Sequence, residues 1–100
     1  MSATYINAAQ QRVLKLLMLL AGHEVMGLAP GEIAKAIRTN PSNVTRDLAN
    51  LREAGLAEPL ENGQWRITPR MGQLALRVLN ALGEARKRVE ETAQRFSVDR

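Results

Sequence analysis

GEIAKAIRTNPSNVTRDLANLREAGL, the stretch from Gly31 to Leu56, decides how this chain folds. It divides into two short helical patterns with a break between them. In the first, Ile33, Ala34 and Ile37 recur at helical spacing and make one apolar face. Thr39 and Asn40 interrupt the pattern. Asn40 suits an N-cap, and Pro41 suits the first helical position, where a missing N–H costs no intrahelical bond. In the second pattern Val44, Leu48 and Leu51 fall at i, i+4 and i+7 and share one face. Gly55 then stops the helix as its C′ residue, and Leu56 folds back onto it.

The side chains that point away from Val44, Leu48 and Leu51 are Ser42, Asn43, Thr45, Arg46 and Asn50. They are short hydrogen-bonding groups plus one Arg near the helix start. A helix fits the major groove of DNA, where the first residues of a reading helix meet the base edges. These five are the candidate base-reading residues. A merely solvated face more often carries Glu and Lys. Capping preferences alone also favour Ser and Asn near helix starts, so the plainer reading stays open. Lys35, Arg38, Asn40 and Arg52 are the candidate phosphate contacts around this stretch.

Ile33-Ala34, the run Pro41-Ser42-Asn43-Val44-Thr45-Arg46, Leu48, Leu51 and Glu53-Ala54-Gly55-Leu56 resemble the winged helix-turn-helix of bacterial transcriptional regulators. The similarity is to the IclR, MarR and ArsR types, with the IclR-type N-terminal domain nearest, and it covers roughly Val13 to Met71. The resemblance implies a mainly α fold with a small β-hairpin: a winged helix-turn-helix with a long C-terminal helix. It also implies binding of double-stranded DNA. Those families place a Gly and then an apolar residue in the turn. Here Arg38 and Thr39 stand there, which adds a cation within reach of a phosphate. IclR-type regulators carry their effector pocket in a separate large domain, and a chain of this length is expected to lack one.

With 100 residues, 45% of them hydrophobic, the chain is expected to build one core. Trp65, Tyr5 and Phe96 are the only aromatic residues, so that core must come from Leu, Ile, Val, Ala and Met. There is no Cys. That excludes disulfides, thiolate metal sites and thiol catalysis, and fits a reducing, cytoplasmic setting. The net charge of +4 is uneven. Residues 1–68 hold seven Lys/Arg against six Asp/Glu, and residues 69–100 hold seven against four. A DNA-facing potential must therefore come from the placement of Lys35, Arg38, Arg46, Arg52 and Arg66 rather than from the sum.

Residues 1–7 carry no strong pattern and read as a short arm, without the features of a signal peptide. Ala8 to Ala21 is a helix apolar on nearly every side, with Arg12 and Lys15 as its polar exceptions. It is too short to span a bilayer, and is expected to be buried nearly all round. Gly22 ends it, and His23 reads as a polar loop residue. A short strand is expected near Met26–Leu28, with Leu28 turned inward. Beyond Gly55, Asn62-Gly63 signals a two-residue hairpin turn. Gln64-Trp65-Arg66-Ile67 alternates as a half-buried strand should, with Trp65 and Ile67 inward. Pro59 suits an edge position. Asn62, Gly63, Gln64 and Arg66 are the wing's candidate phosphate contacts, although a hairpin that only caps the core would look the same.

Thr68 and Pro69 are expected to open the last helix, which only Gly83 disturbs before Phe96. Leu74, Val78, Leu82, Ala85, Val89, Ala93 and Phe96 mark a heptad-like seam of threes and fours. The domains are thus expected to be 1–68, the winged helix-turn-helix, and 69–100, a dimerisation helix. Leu16, Leu20, Leu74, Val78, Leu82, Val89 and Phe96 form the candidate homodimer interface; a helix folded back on its own domain is the alternative.

No grouping of His, Asp and Ser stands out, nor any Gly-rich phosphate loop or HExxH. The expectation is a non-enzyme without metal, cofactor or membrane segment. Two functions fit. One is a small dimeric regulator that binds double-stranded DNA by sequence. The other is a winged-helix protein–protein interaction module, for example in a phage or plasmid assembly.

Overall fold

A computed structural model describes residues 3–98. They fall into two units that divide between Arg70 and Met71. In chain order the elements are a 3-10 turn (Ala3–Tyr5), α1 (Ala8–Leu20), α2 (Pro30–Ala36), α3 (Pro41–Glu53), β1 (Ala57–Pro59), β2 (Trp65–Ile67) and α4 (Pro69–Ser97). The stretch read first as an arm therefore holds a turn, and its last residue has a task. Asn7 caps α1 by accepting from the Gln10 N–H at 2.9 Å.

In the first unit, Leu16 and Leu20 of α1, Ile33 and Ala34 of α2, Val44, Leu48 and Leu51 of α3, and Ala57 of β1 form the buried core. Leu28, Ile37, Leu56, Trp65 and Ile67 pack half-buried around it. The helical faces expected for α2 and α3 are the faces that are buried. The expectation for α1 needs correction. Leu16 and Leu20 are fully buried inside their own domain, so they offer no surface to a second chain. The side of α1 left in solvent is Leu14, 52% exposed, and Met18, 78% exposed. Thirteen residues of helix present only one stripe to a core this small.

The two helix ends around the turn are built alike. At the end of α3, the Gly55 N–H donates to the Arg52 carbonyl at 2.9 Å and the Leu56 N–H to the Leu51 carbonyl at 2.8 Å, a Schellman cap. Gly55 holds the left-handed conformation there, with φ +76°. At the end of α2, the Arg38 N–H donates to the Lys35 carbonyl and the Thr39 N–H to the Ala34 carbonyl. The left-handed residue is now Arg38, with φ +57°, the one described non-glycine residue at positive φ. The departure from the familiar turn is thus absorbed by backbone strain at Arg38, with the turn geometry kept.

β1 and β2 pair antiparallel, Ala57 opposite Ile67, Glu58 opposite Arg66 and Pro59 opposite Trp65. On its other edge β2 is bridged by Leu28, whose N–H and carbonyl both bond Trp65 at 2.8 Å. The strand expected near Met26–Leu28 is this single bridge. It forces a close approach. Gly27 sits at φ +74°, and a Cβ there would lie 2.9 Å from the Trp65 carbonyl oxygen. The hairpin turn also differs from expectation. The Gly63 N–H donates to the Leu60 carbonyl, and the Leu60 N–H to the Gln64 carbonyl. Asn62 keeps a negative φ, while Gly63 takes φ +85°. That is a three-residue loop, a type I turn followed by a left-handed glycine, in place of a two-residue turn. Thr68, expected as a cap, donates its hydroxyl to the Gly55 carbonyl at 2.6 Å and so ties the exit of the hairpin to the end of α3.

α4 runs 29 residues without a break at Gly83, and none of its described residues is buried. Its apolar stripe, Leu74, Val78, Leu82, Ala85, Val89, Ala93, Phe96, advances by 4, 4, 3, 4, 4, 3. The repeat is eleven residues long, where a heptad alternates threes and fours. Val89 is 67% and Phe96 87% exposed. Among the described residues no helix is long and apolar enough to cross a membrane.

Candidate nucleic-acid interface

α3 begins where Asn40, just before it, accepts from the Asn43 N–H at 2.9 Å, and Pro41 fills the first helical position. The buried face of Val44, Leu48 and Leu51 then fixes which side chains stand in solvent. Ser42, Thr45, Arg46 and Asn50 are all exposed. Asn43 is not: it is half-buried, and its amide donates to the Thr39 hydroxyl at 2.9 Å. It braces the turn, and reaching a base would break that bond. The Thr45 hydroxyl donates to the Pro41 carbonyl at 3.0 Å, and the Asn50 amide to the Arg46 carbonyl at 2.8 Å. Both keep acceptor capacity toward solvent. The Ser42 and Arg46 side chains make no hydrogen bond or ion pair with any described residue. Of the five expected base readers, these two are uncommitted.

Four of the six acids in the first 68 residues are engaged, two by backbone N–H groups and two by Arg side chains. The Glu32 carboxylate accepts from the Ala29 N–H at 2.9 Å, and Glu24 accepts from the Gly22 N–H. Glu58 pairs with Arg66 across the hairpin at 2.8 Å. Asp47, on α3 itself, is only 4% exposed. The Arg12 guanidinium donates to both its oxygens, at 2.6 and 2.9 Å. That hydrogen bond, with the attraction of the carboxylate, raises the Arg12 pKa above the ordinary arginine value. Arg12 stays charged throughout the neutral range, and any stability tied to its titration is lost only at higher pH. Lys35, Arg38, Arg46 and Arg52 are exposed and form no ion pair among the described residues. Lys35 of α2, Arg38 of the turn and Arg46 and Arg52 of α3 thus stand in solvent, while of the two acids on α3 Asp47 is paired from beneath and Glu53 stays exposed. Sequence reasoning missed Asp47 because its partner lies 35 residues away.

The wing contributes less than expected. Arg66, a candidate phosphate contact, is held by Glu58. The Asn62 side chain accepts from the Gln64 N–H at 3.1 Å, closing the loop on itself. Between the exposed side of α3 and β2 lies an open cleft of about 470 Å³, lined by Thr45, Ala49, Arg52, Glu53 and Trp65. Among the described residues, no group of three or more His, Cys, Asp and Glu is placed to hold a metal ion.

Residues 10–58 match the family model described as bacterial regulatory protein, arsR family. No curated protein matches the chain. Among solved structures, a variant of ZitR from Lactococcus lactis is 19% identical, with a TM-score of 0.50 over 97% of this chain and 66% of that one. A variant of MepR from S. aureus is 20% identical, with a TM-score of 0.51 over 96% of this chain and 69% of that one. A MarR family transcription regulator is also 20% identical, with a TM-score of 0.46 over 91% of this chain and 71% of that one. The chain thus spans about two thirds of the length of the solved proteins it resembles. Of the three families the sequence resembles, ArsR is the one whose family model matches. With the helix-turn-helix and the hairpin beside it in place, the chain has the winged helix-turn-helix fold of these solved structures, and just under half of it resembles the ArsR-family model.

Proposed function

We propose that the chain acts as a sequence-specific, dimeric transcriptional regulator that inserts α3 into the major groove of double-stranded DNA. The carrying observation is the pairing state of α3: Ser42 and Arg46 stand free, while Asp47 is buried against Arg12. Arg46 suits a bidentate contact to guanine, and Ser42 a contact to either partner of a base pair. Thr45 and Asn50 offer their remaining acceptors. Lys35, Arg38, Asn40 and Arg52 hold flanking phosphates. The wing, with Arg66 engaged by Glu58 and the unpaired Glu61 beside its tip, leans on DNA only through Asn62, Gly63 and Gln64.

Dimerisation is part of the reading. The α4 stripe, with Leu74, Val78, Leu82, Val89 and Phe96, is exposed along its whole length, and so are Leu14 and Met18 of α1. Large apolar side chains in such number mark an interaction surface. On this reading residues 69–100 serve as the dimerisation helix. A two-fold pair that reads one face of DNA sets its reading helices about 34 Å apart and selects a pseudo-palindrome. Selection from random duplexes tests the proposal: an enriched, two-fold-related site supports it, and no enrichment overturns sequence reading. A shift assay on bulk genomic DNA at low salt separates the alternative. Salt-sensitive binding is expected of a DNA-binding protein, and a protein–protein interaction module gives none.

A further inference from the structure

We infer that the Arg12–Asp47 pair is a positioning device that sets the seating of α3 on α1, and that both residues thereby govern which spacing of DNA half-sites the protein accepts. The inference rests on the DNA-binding reading above and deepens it.

The pair joins the second turn of α1 to the middle of α3. Asp47 is 4% exposed, and the Arg12 side chain 21% exposed. Among the described residues, its two bonds are the only side-chain hydrogen bonds between these two helices. Everything else that holds α1 against α3 is aliphatic: Leu16 and Leu20 on one side, Val44, Leu48 and Leu51 on the other. Aliphatic contacts are non-directional, and such cores keep their stability through repacking while losing uniqueness. A guanidinium fork on a carboxylate is directional: two parallel bonds fix both the distance and the plane. An ion pair taken out of water adds little net stability over an apolar pair of the same volume. What it supplies here is register. Asp47 lies directly after Arg46 and two residues after Thr45, so a turn of α3 about its axis moves those side chains across the groove floor. The same α1 carries Leu14 and Met18 in solvent, so register on α1 is also register against any partner that covers that side.

Replacing the pair by Arg12→Met with Asp47→Leu separates positioning from stability. The melting midpoint of this variant and of wild type is measured alongside binding to a selected duplex and to the same duplex with one base pair inserted at its centre. Wild type is expected to bind the lengthened duplex at least tenfold more weakly. The apolar variant is expected to keep its midpoint within a few degrees, while its discrimination between the two duplexes falls to threefold or less. Arg12→Lys, which keeps the charge but not the fork, is expected to lose discrimination as well, and it provides the readout if the apolar pair does not fold. Variants that keep tenfold discrimination overturn the positioning role and leave a structural ion pair. A wild type that enriches no duplex overturns the DNA-binding reading itself, a result distinct from either.

Discussion

Arg38 occupies a backbone conformation that glycine takes at the matching end of α3. A left-handed non-glycine residue costs about 1–2 kcal/mol. Glycine returns part of that through the freedom it adds to the unfolded chain. Arg38→Gly is therefore expected to stabilise the domain by about 0.5–1 kcal/mol, read as a rise of a few degrees in melting midpoint. The same change removes a proposed phosphate contact, so DNA affinity should fall and its salt slope should drop by about one. A variant both more stable and equally tight on DNA would show that Arg38 contacts no phosphate. Arg46→Ala should act differently, lowering preference for the selected site by about 1–3 kcal/mol against scrambled duplexes, measured by competition. Gly27 presents the opposite case to Arg38. A Cβ there meets the Trp65 carbonyl at 2.9 Å and the Leu60 side chain at 3.0 Å. Gly27→Ala should cost more than about 1 kcal/mol in chemical denaturation and loosen the Leu28 bridge.

Elements were legible in the sequence where their signals were local. The Val44, Leu48, Leu51 spacing named the buried face of α3, and Asn40-Pro41 named its start, because cap and period are properties of a few neighbouring residues. α1 gave no such direction. With Leu14, Leu16, Leu17, Met18, Leu19 and Leu20 all apolar, periodicity could not tell Leu16 and Leu20, which are buried, from Leu14 and Met18, which are not. In the hairpin, Asn62-Gly63 signalled a turn, but its length was set by the ladder, which closes Leu60 onto Gln64 and puts three residues in the loop. The Arg12–Asp47 pair was illegible for a plain reason: nothing within a turn of either residue marks a partner 35 positions away. α4 carries two glycines, Gly72 in its first turn and Gly83 in mid-helix; the interior weak point is Gly83. A Cβ there meets nothing within 4 Å. Gly83→Ala should stabilise the helix by about 1 kcal/mol, visible as higher helicity near the melting transition by circular dichroism.

At the scale of the molecule, the question is what covers the exposed apolar stripes. Leu82 and Val89 lie mid-stripe on α4 and are 63% and 67% exposed. In a proposed dimer, Val89→Glu buries an unpaired carboxylate and should convert dimer to monomer at micromolar concentration, checked by sedimentation against the 11.0 kDa chain mass. A wild type already monomeric removes the dimer. A Val89→Glu chain that stays dimeric moves the interface to Leu14 and Met18. Loss of the dimer should also weaken binding to a two-half-site duplex far more than to a single half-site, since the second contact no longer comes at high effective concentration.

The 4, 4, 3 advance of the α4 stripe carries a handedness. An eleven-residue repeat needs about 3.67 residues per turn, slightly more than the 3.6 of a straight helix, so the stripe drifts slowly around the helix in the sense opposite to that of a heptad stripe. Two helices that follow it wind gently right-handed, where a leucine zipper winds left-handed. Grafting a zipper onto this protein in place of residues 71–98 would restore pairing but reverse the winding. In the proposed dimer α4 would thus set the sense of the twist as well as the contact.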